Sequence, residues 1–434
     1  MHYNTSIGIK DVIANICLFL TVFMPDSIRV VRVACFLLWM LISLKRIRAS
    51  NNDYLVLAVL LLANSISLVN GVLSGAPGAV RSMTVEFVWP LMFFVIFKSY
   101  SGYYEFIRII KTLFYSYVCV VLFDIGYIVL AFLGINMSFS HLGKLLGCNI
   151  NISGGWIQYT TTHMVSHFFM FPFCLMLLLV MNNEFVKKKT LLFILAIAFL
   201  CIMASGRVAL QGVAIISIIL SIFLNACYKG KLHITGKKIL ITLVIIAVAV
   251  LGAELVIKYS GIDISKIIDY AVYKFNSSKD ASDVINGVRK LQADALIEGW
   301  TERPMIGHGT GSYTSKCIRD DVMVWAYEYT YHAMIFQRGL LGTMVWFGMV
   351  AYILLSILRG VKYKKIPKEI GLPFFIGLVS ILIANYADPY LNKFGCMWML
   401  YIPFSLASYA DDMTVYKNDV MQAIINNGRD WRCK

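Results

Sequence analysis

Apolar stretches of bilayer-spanning length follow one another along most of this chain. A helix needs about 20 mostly apolar residues to cross the hydrocarbon core. Twelve stretches approach that length, roughly 9–25, 28–44, 53–70, 82–97, 106–133, 163–181, 190–205, 208–226, 238–257, 339–358, 369–387 and 394–410. The first is short enough to suggest a signal peptide. No small-residue cleavage site follows it and a second stretch begins at once, so it is read as a span. Composition agrees: 59% of the 434 residues are hydrophobic and 15% charged, against about 45–50% and about 25% in soluble proteins. Such a chain cannot build a polar skin, which excludes a soluble enzyme, a disordered protein and a secreted disulfide scaffold. The expected fold is an all-α polytopic membrane protein of about twelve transmembrane helices with one long, partly helical external loop.

The formal net charge of +15 does not point to nucleic acid, because the charges fall in short clusters between apolar runs. Alternate segments hold 23 Lys and Arg, including Lys45, Arg46, Arg48, Lys187–Lys189 and Lys362–Lys368. The other set, without its long loop, holds 6: Arg29, Arg32, Arg81, Lys144, Arg207 and Lys393. The positive-inside rule makes the first set cytoplasmic. The expectation is a cytoplasmic (inner) membrane protein with both termini inside. Residues 1–257 then hold helices 1–9, 258–338 form the external loop domain, 339–410 hold helices 10–12, and 411–434 form a cytoplasmic tail with weak helical periodicity. None of the ten cysteines forms a CxxC pair, which leaves zinc and thioredoxin-like readings without support. Cys148 and Cys317, in outer segments, are candidates for a disulfide.

Two outer segments exceed a tight turn, about 134–162 and about 258–338, and long structured loops are usually functional. The second carries ten basic and ten acidic residues, so it is not a polyanion trap. Periodicity predicts a helix over about 283–298, capped by Asp283. Val284, Val288, Leu291 and Ala295 form its stripe, Arg289 stands beside it and Gly299 is its stop. Arg303 and the run Gly307-His308-Gly309-Thr310-Gly311 follow. Alternating glycines make a tight turn whose N–H groups can face an anion. The same pattern also reads as a plain turn. A second helix is expected from Asp320 or Asp321 to Gln337, with Glu328 and His332 four apart on one face. There a carboxylate can orient an imidazole; the alternative is an interfacial histidine. Arg207, after Ser205-Gly206 in an outer turn, is either a helix-end anchor or a functional cation.

Other candidates carry less. His163 and His167 have metal-compatible spacing but no third ligand near in sequence. Glu86 and Arg81 suggest an ion pair. Asp124 and Glu254 are intramembrane carboxylates, and Asp388 sits in a short outer turn. No Asp-x-Asp pair, P-loop or GxSxG elbow occurs. No metal or cofactor is therefore expected.

The order of these pieces resembles the O-antigen polymerase and O-antigen ligase superfamily. The matching residues are Ser205-Gly206-Arg207, Arg289 with Leu291, Ala295 and Leu296, Arg303-Pro304-Met305-Ile306-Gly307-His308-Gly309, and His332 with Gly339-Leu340-Leu341-Gly342. The resemblance implies glycan transfer from an undecaprenyl diphosphate carrier on the outer face of the cytoplasmic membrane. Donor and acceptor would both be lipid-linked glycans, with a chain-length regulator as an optional partner. Arg207 and Arg289 would grip the diphosphate, helped by Arg303 and the glycine turn of Gly307, Gly309 and Gly311. His332, with Glu328, would act as base at the acceptor hydroxyl. Ligases tend to carry His-Asn where this chain has His332-Ala333, which favours the polymerase branch. The ligase activity and, in another class, a lipid-linked oligosaccharide flippase are the alternatives. A flippase would show charges through the bilayer middle and a repeated half, whereas these candidates cluster at the outer rim.

Overall fold

The computed structural model describes residues 8–44, 47–100, 102–135, 137–153, 156–180, 186–228, 284–318 and 320–411. The ninth apolar stretch, Glu254, Asp283 and the tail beyond 411 lie outside those residues. The described chain is mostly helical. Its helices are α1 (Ile9–Phe23), α2 (Arg29–Ser43), α3 (Asn51–Leu73), α4 (Ala79–Met83), α5 (Trp89–Lys98), α6 (Tyr103–Phe132), α7 (His141–Leu145), α8 (Met164–Val180), α9 (Lys188–Ala204), α10 (Val208–Tyr228), α11 (Val284–Glu302), α12 (Thr330–Lys362), α13 (Lys368–Ala384) and α14 (Trp398–Asp411). A π-helical turn, Thr84–Val88, joins α4 to α5. The only sheet among the described residues is the antiparallel hairpin β1 (Asn149–Ser153) and β2 (Trp156–Thr160).

A helix stands at each of the eleven apolar stretches within the described residues. Five are long and apolar enough to cross a membrane: α3, the composite α4–α5, α6, α10 and α12. The rest have 17 residues or fewer, with α8 and α14 among them strongly apolar. Helix α8 is the axis, buried along most of its length and packed on α13, α10 and α9. Outer helices leave apolar stripes uncovered, Leu55, Leu62 and Val69 on α3 and Ile215, Ile219 and Phe223 on α10. That pattern suits a bundle whose solvent is hydrocarbon.

Local chemistry sets the ends. Ser50 Oγ accepts from Asp53 N while Asp53 Oδ2 accepts from Ser50 N, a capping box that starts α3. Asp53 also holds Lys98 Nζ at 3.0 Å, which neutralises a lysine that is 1% exposed. Pro90 enters α5 without an N–H to give, and the Glu86 carbonyl accepts from Asn64 Nδ2 at 2.9 Å instead. The Glu86 carboxylate binds Arg338 at 2.5 Å rather than Arg81, which lies exposed. Glu86 is reached instead by Asn64 from α3 and Arg338 from α12.

Helix α12 is broken once. Gly339 has φ 64° and ψ −172°, a conformation essentially closed to residues with a Cβ. In an unbroken helix Leu340 and Leu341 would donate to Phe336 and Gln337. Here they donate to Pro304 and Met305, at 2.9 and 3.1 Å, while His308 and Gly309 donate to Phe336 and Gln337, at 2.9 and 2.8 Å. The glycine turn thus fills the break bond for bond.

Candidate functional site

The motifs between Arg303 and Gly342 are one packed unit. Gly307, Gly309 and Gly311 all have positive φ. A Cβ at Gly307 would run into Gly339, at Gly309 into Gly71 and at Gly311 into Gly78. Thr310 N donates to the Ser67 carbonyl, Thr310 Oγ1 and Ser67 Oγ lie 2.7 Å apart, and Asn70 Nδ2 reaches the Gly307 carbonyl at 2.9 Å. The N–H groups of Gly307, His308, Gly309, Thr310 and Ser312 all go to backbone carbonyls. An anion cradle needs N–H groups that are free. These glycines are accounted for by close backbone packing against α3 and α12.

Two helical expectations are corrected. Helix α11 runs through Gly299 to Glu302 rather than stopping at the glycine. The Phe336 ring lies where a Gly299 Cβ would sit, so the glycine permits close approach of α11 to α12. The buried face of α11 is Gln292, Ala295 and Leu296, whereas Leu291 is exposed. His308 stacks on Phe336 at 4.7 Å and donates Nε2–H to the Gly299 carbonyl at 2.7 Å, so it is structural.

The second helix starts at Thr330, ten residues later than expected. Asp320 accepts from Val322 N and Met323 N, each at 2.8 Å, and so makes a turn. Those bonds hold its carboxyl below the usual range. Glu328 therefore precedes the helix that carries His332, and the two do not share a helical face. Glu328 Oε2 accepts instead from Arg289 Nε at 2.8 Å. The His332 ring lies between Tyr329 and Tyr386, at 5.4 and 5.7 Å, with Nδ1 buried and unpartnered among the described residues.

The turn between α13 and α14 joins these pieces. Burial first, then the charge of Asp388, holds the Tyr390 phenol well above its ordinary range; Arg207 opposes this and Glu328 adds to it. One phenol thus feels Arg207 from the α9–α10 turn and Glu328, the partner of Arg289, from the loop. Lys393 pairs with Asp388 at 3.2 Å and lies over the Tyr390 ring at 5.1 Å. Arg207 is exposed and has no ion pair among the described residues. Its backbone N–H donates to Ser205 Oγ at 3.2 Å, after a Gly206 with φ 65° that turns the chain. Arg303 is exposed at the end of α11, and nothing described brings it to Tyr390.

Sequence reasoning passed over Tyr390 and Lys393 as site members. The available signal was Lys393 itself, one of the six Lys and Arg in the sparser set of alternate segments once the 258–338 loop is set aside. It also missed a buried network in the bundle. Asp124 accepts from His163 Nε2 and His167 Nε2, each at 2.8 Å, and Tyr117 Oη lies 2.8 Å from His167 Nδ1. All four side chains are buried. Here the two histidines meet a carboxylate from α6, and among the described residues no His, Cys, Asp and Glu group has a metal-holding arrangement. Cys148 is a free thiol buried with Tyr127, Leu146 and Met164, so the disulfide with Cys317 is not formed.

The arrangement offers exposed and half-exposed cations, a buried phenol and an imidazole at one end of a largely apolar bundle. Guanidinium and ammonium groups of this kind suit an anionic group. No model of a known protein family matches the chain, and no curated protein matches it either.

Proposed function

We propose that this protein is a membrane glycosyltransferase that joins undecaprenyl-diphosphate-linked oligosaccharide repeat units on the outer face of the cytoplasmic membrane, a polymerase of O-antigen type. On this reading the chain has twelve spans with both termini cytoplasmic, and 258–338 is external. Arg207 and Arg289 grip the donor diphosphate. As the glycosidic bond to the carrier breaks, negative charge grows on the diphosphate, and guanidinium groups placed there lower the barrier. His332 takes the proton from the attacking sugar hydroxyl. The energy is held in the sugar–diphosphate bond, so no nucleotide site is needed.

The observation that carries the proposal is geometric: Arg289 Nε holds Glu328 at 2.8 Å, four residues before His332, and the His332 ring meets Tyr386 of the α13–α14 turn at 5.7 Å, so an arginine of α11 and the imidazole of α12 come together beside that turn. The 23-to-6 partition of cations supports the topology. It is also supported by the seating of the 303–312 segment on the α3–α4 turn, which the alternation puts on the same side.

Gene deletion separates the polymerase from its alternatives. Loss of the polymerase should leave surface lipid capped with a single repeat unit. Loss of a ligase would leave no capping while lipid-linked polymer accumulates, and loss of a flippase would trap single repeat units on the cytoplasmic face.

A further inference from the structure

We infer that Tyr329 and Tyr386 form the seat of the acceptor sugar, a ring-stacking site for one saccharide residue that sets its hydroxyl against His332. The inference rests on the reading of His332 given above and deepens it by naming what holds the acceptor.

A sugar ring has two kinds of surface. Its hydroxyls lie around the edge, and its faces carry C–H bonds of slight positive charge. The negative face of an aromatic ring attracts such C–H bonds as it attracts the edge of another aromatic ring. Tyrosine offers this contact at low cost in conformational freedom.

Three rings meet beside the α13–α14 turn. Tyr329 and Tyr386 lie 5.4 Å apart, and His332 lies 5.4 Å from Tyr329 and 5.7 Å from Tyr386. Tyr329 and His332 are half-buried, whereas Tyr386 remains 47% exposed, so its neighbours leave much of it open. Tyr331 is a contrast. Its ring stands 6.3 Å from Tyr386, but its phenol donates to the Leu382 carbonyl at 2.6 Å, which ties it into the bundle. The phenols of Tyr329 and Tyr386 have no such bond among the described residues.

Both tyrosines stand on fixed backbone. The Tyr329 carbonyl accepts from Ala333 N at 2.9 Å in the first turn of α12. Tyr386 N donates to the Ile383 carbonyl at 3.2 Å, and the neighbouring Asn385 Oδ1 accepts from Leu391 N at 2.9 Å, which closes the turn. Rings held in this way can orient a bound group. The imidazole plane stands at 63° to the Tyr386 ring. A sugar lying flat on that ring offers the imidazole its hydroxyl edge rather than its C–H face. His332 Nδ1 is buried, which leaves Nε2 as the nitrogen to meet that hydroxyl. Fixing the hydroxyl there replaces a chance encounter with a placed one.

The test uses the full-length protein in detergent. The probe is the repeat-unit oligosaccharide freed by mild acid from the cell's lipid-linked pool, which keeps the sugars and lacks the diphosphate. In a calorimeter wild type should bind it. Tyr386→Ala, Tyr386→Leu and Tyr329→Ala should each weaken binding about two- to tenfold, the scale of one aromatic contact. Tyr386→Phe keeps the ring face and should bind like wild type. Leucine fills the volume without that face, so unchanged binding by Tyr386→Leu would overturn the inference. Absence of binding by wild type would also overturn it, and is the result for tyrosines that only anchor the bundle at the lipid interface. The polymerase reading is judged separately, by the capping left after gene deletion. Lost stacking with the single-repeat phenotype intact overturns this inference alone, while unchanged polymer in the deletion strain overturns the reading and this inference with it.

Discussion

The Asn64 side chain donates to the Glu86 carbonyl at 2.9 Å, a carbonyl that Pro90, one turn on, has no N–H to reach. Asn64 Oδ1 in turn lies 3.4 Å from Arg338 Nη1, so one amide serves both partners of a buried ion pair. Asn64→Ala should cost about 1–3 kcal/mol, the penalty for leaving buried polar groups unpaired. Pro90→Ala returns a backbone N–H to that turn, and in this background Asn64→Ala should cost about 1 kcal/mol less. Thermal unfolding in detergent measures both. Equal costs in the two backgrounds would show that Asn64 does not stand in for the missing donor.

Gly339→Ala meets two penalties. The backbone conformation costs about 1–3 kcal/mol for a residue with a Cβ. The added methyl also meets the Met305 carbonyl, for which overpacking adds about 1–3 kcal/mol. The expected outcome is a lower melting temperature together with faster proteolysis between 303 and 329. A variant with wild-type protease resistance would show that the break is not what seats the loop.

On the polymerase reading, Arg207→Ala and Arg289→Ala should each lower polymer formation about 10²–10³-fold, the effect of losing one contact that strengthens in the transition state. Both side chains are exposed or half-exposed, so melting temperatures should stay near wild type. Arg289→Lys should rescue poorly, because a point charge does not replace the fork. His332→Ala should also nearly abolish polymer at normal protein levels. Near-normal polymer from a stable His332→Ala protein would remove the base from the mechanism.

Asp124→Ala should destabilise the protein by about 3–5 kcal/mol, since it strips two buried histidines of a shared acceptor. The loss should appear as reduced expression and a lower melting temperature rather than as a change in glycan pattern at matched protein levels. A stable Asp124→Ala protein with altered polymer would move this network from scaffold to function.

The apolar stretches were legible because hydrocarbon solvent leaves helices little choice, and the eleven within the described residues all hold a helix. Capping chemistry was less so. Asp320 looks like a helix start, but its carboxylate is engaged by Val322 and Met323 in a turn, and the helix waits until Thr330. Gly299 looks like a stop, but the partner that demands a glycine, Phe336, lies 37 positions away. The Glu328–His332 spacing carried information only if both residues were helical, and Glu328 is not. The Asp124 network and the Arg338–Glu86 pair join helices distant in the chain, and no local period encodes such a meeting.

The break at Gly339 also bears on how the protein is made. Four backbone groups around it, the carbonyls of Phe336 and Gln337 and the N–H groups of Leu340 and Leu341, have their partners outside the helix. Bare polar groups of this kind cost several kcal/mol each in hydrocarbon. Their partners at 304–309 emerge from the ribosome before α12 does, and the α3 surface that receives this segment emerges earlier still. The order of synthesis therefore delivers the seat, then the loop, then the span that closes over both. A circular permutant that made α12 before 303–311 would have to insert an incomplete helix and wait.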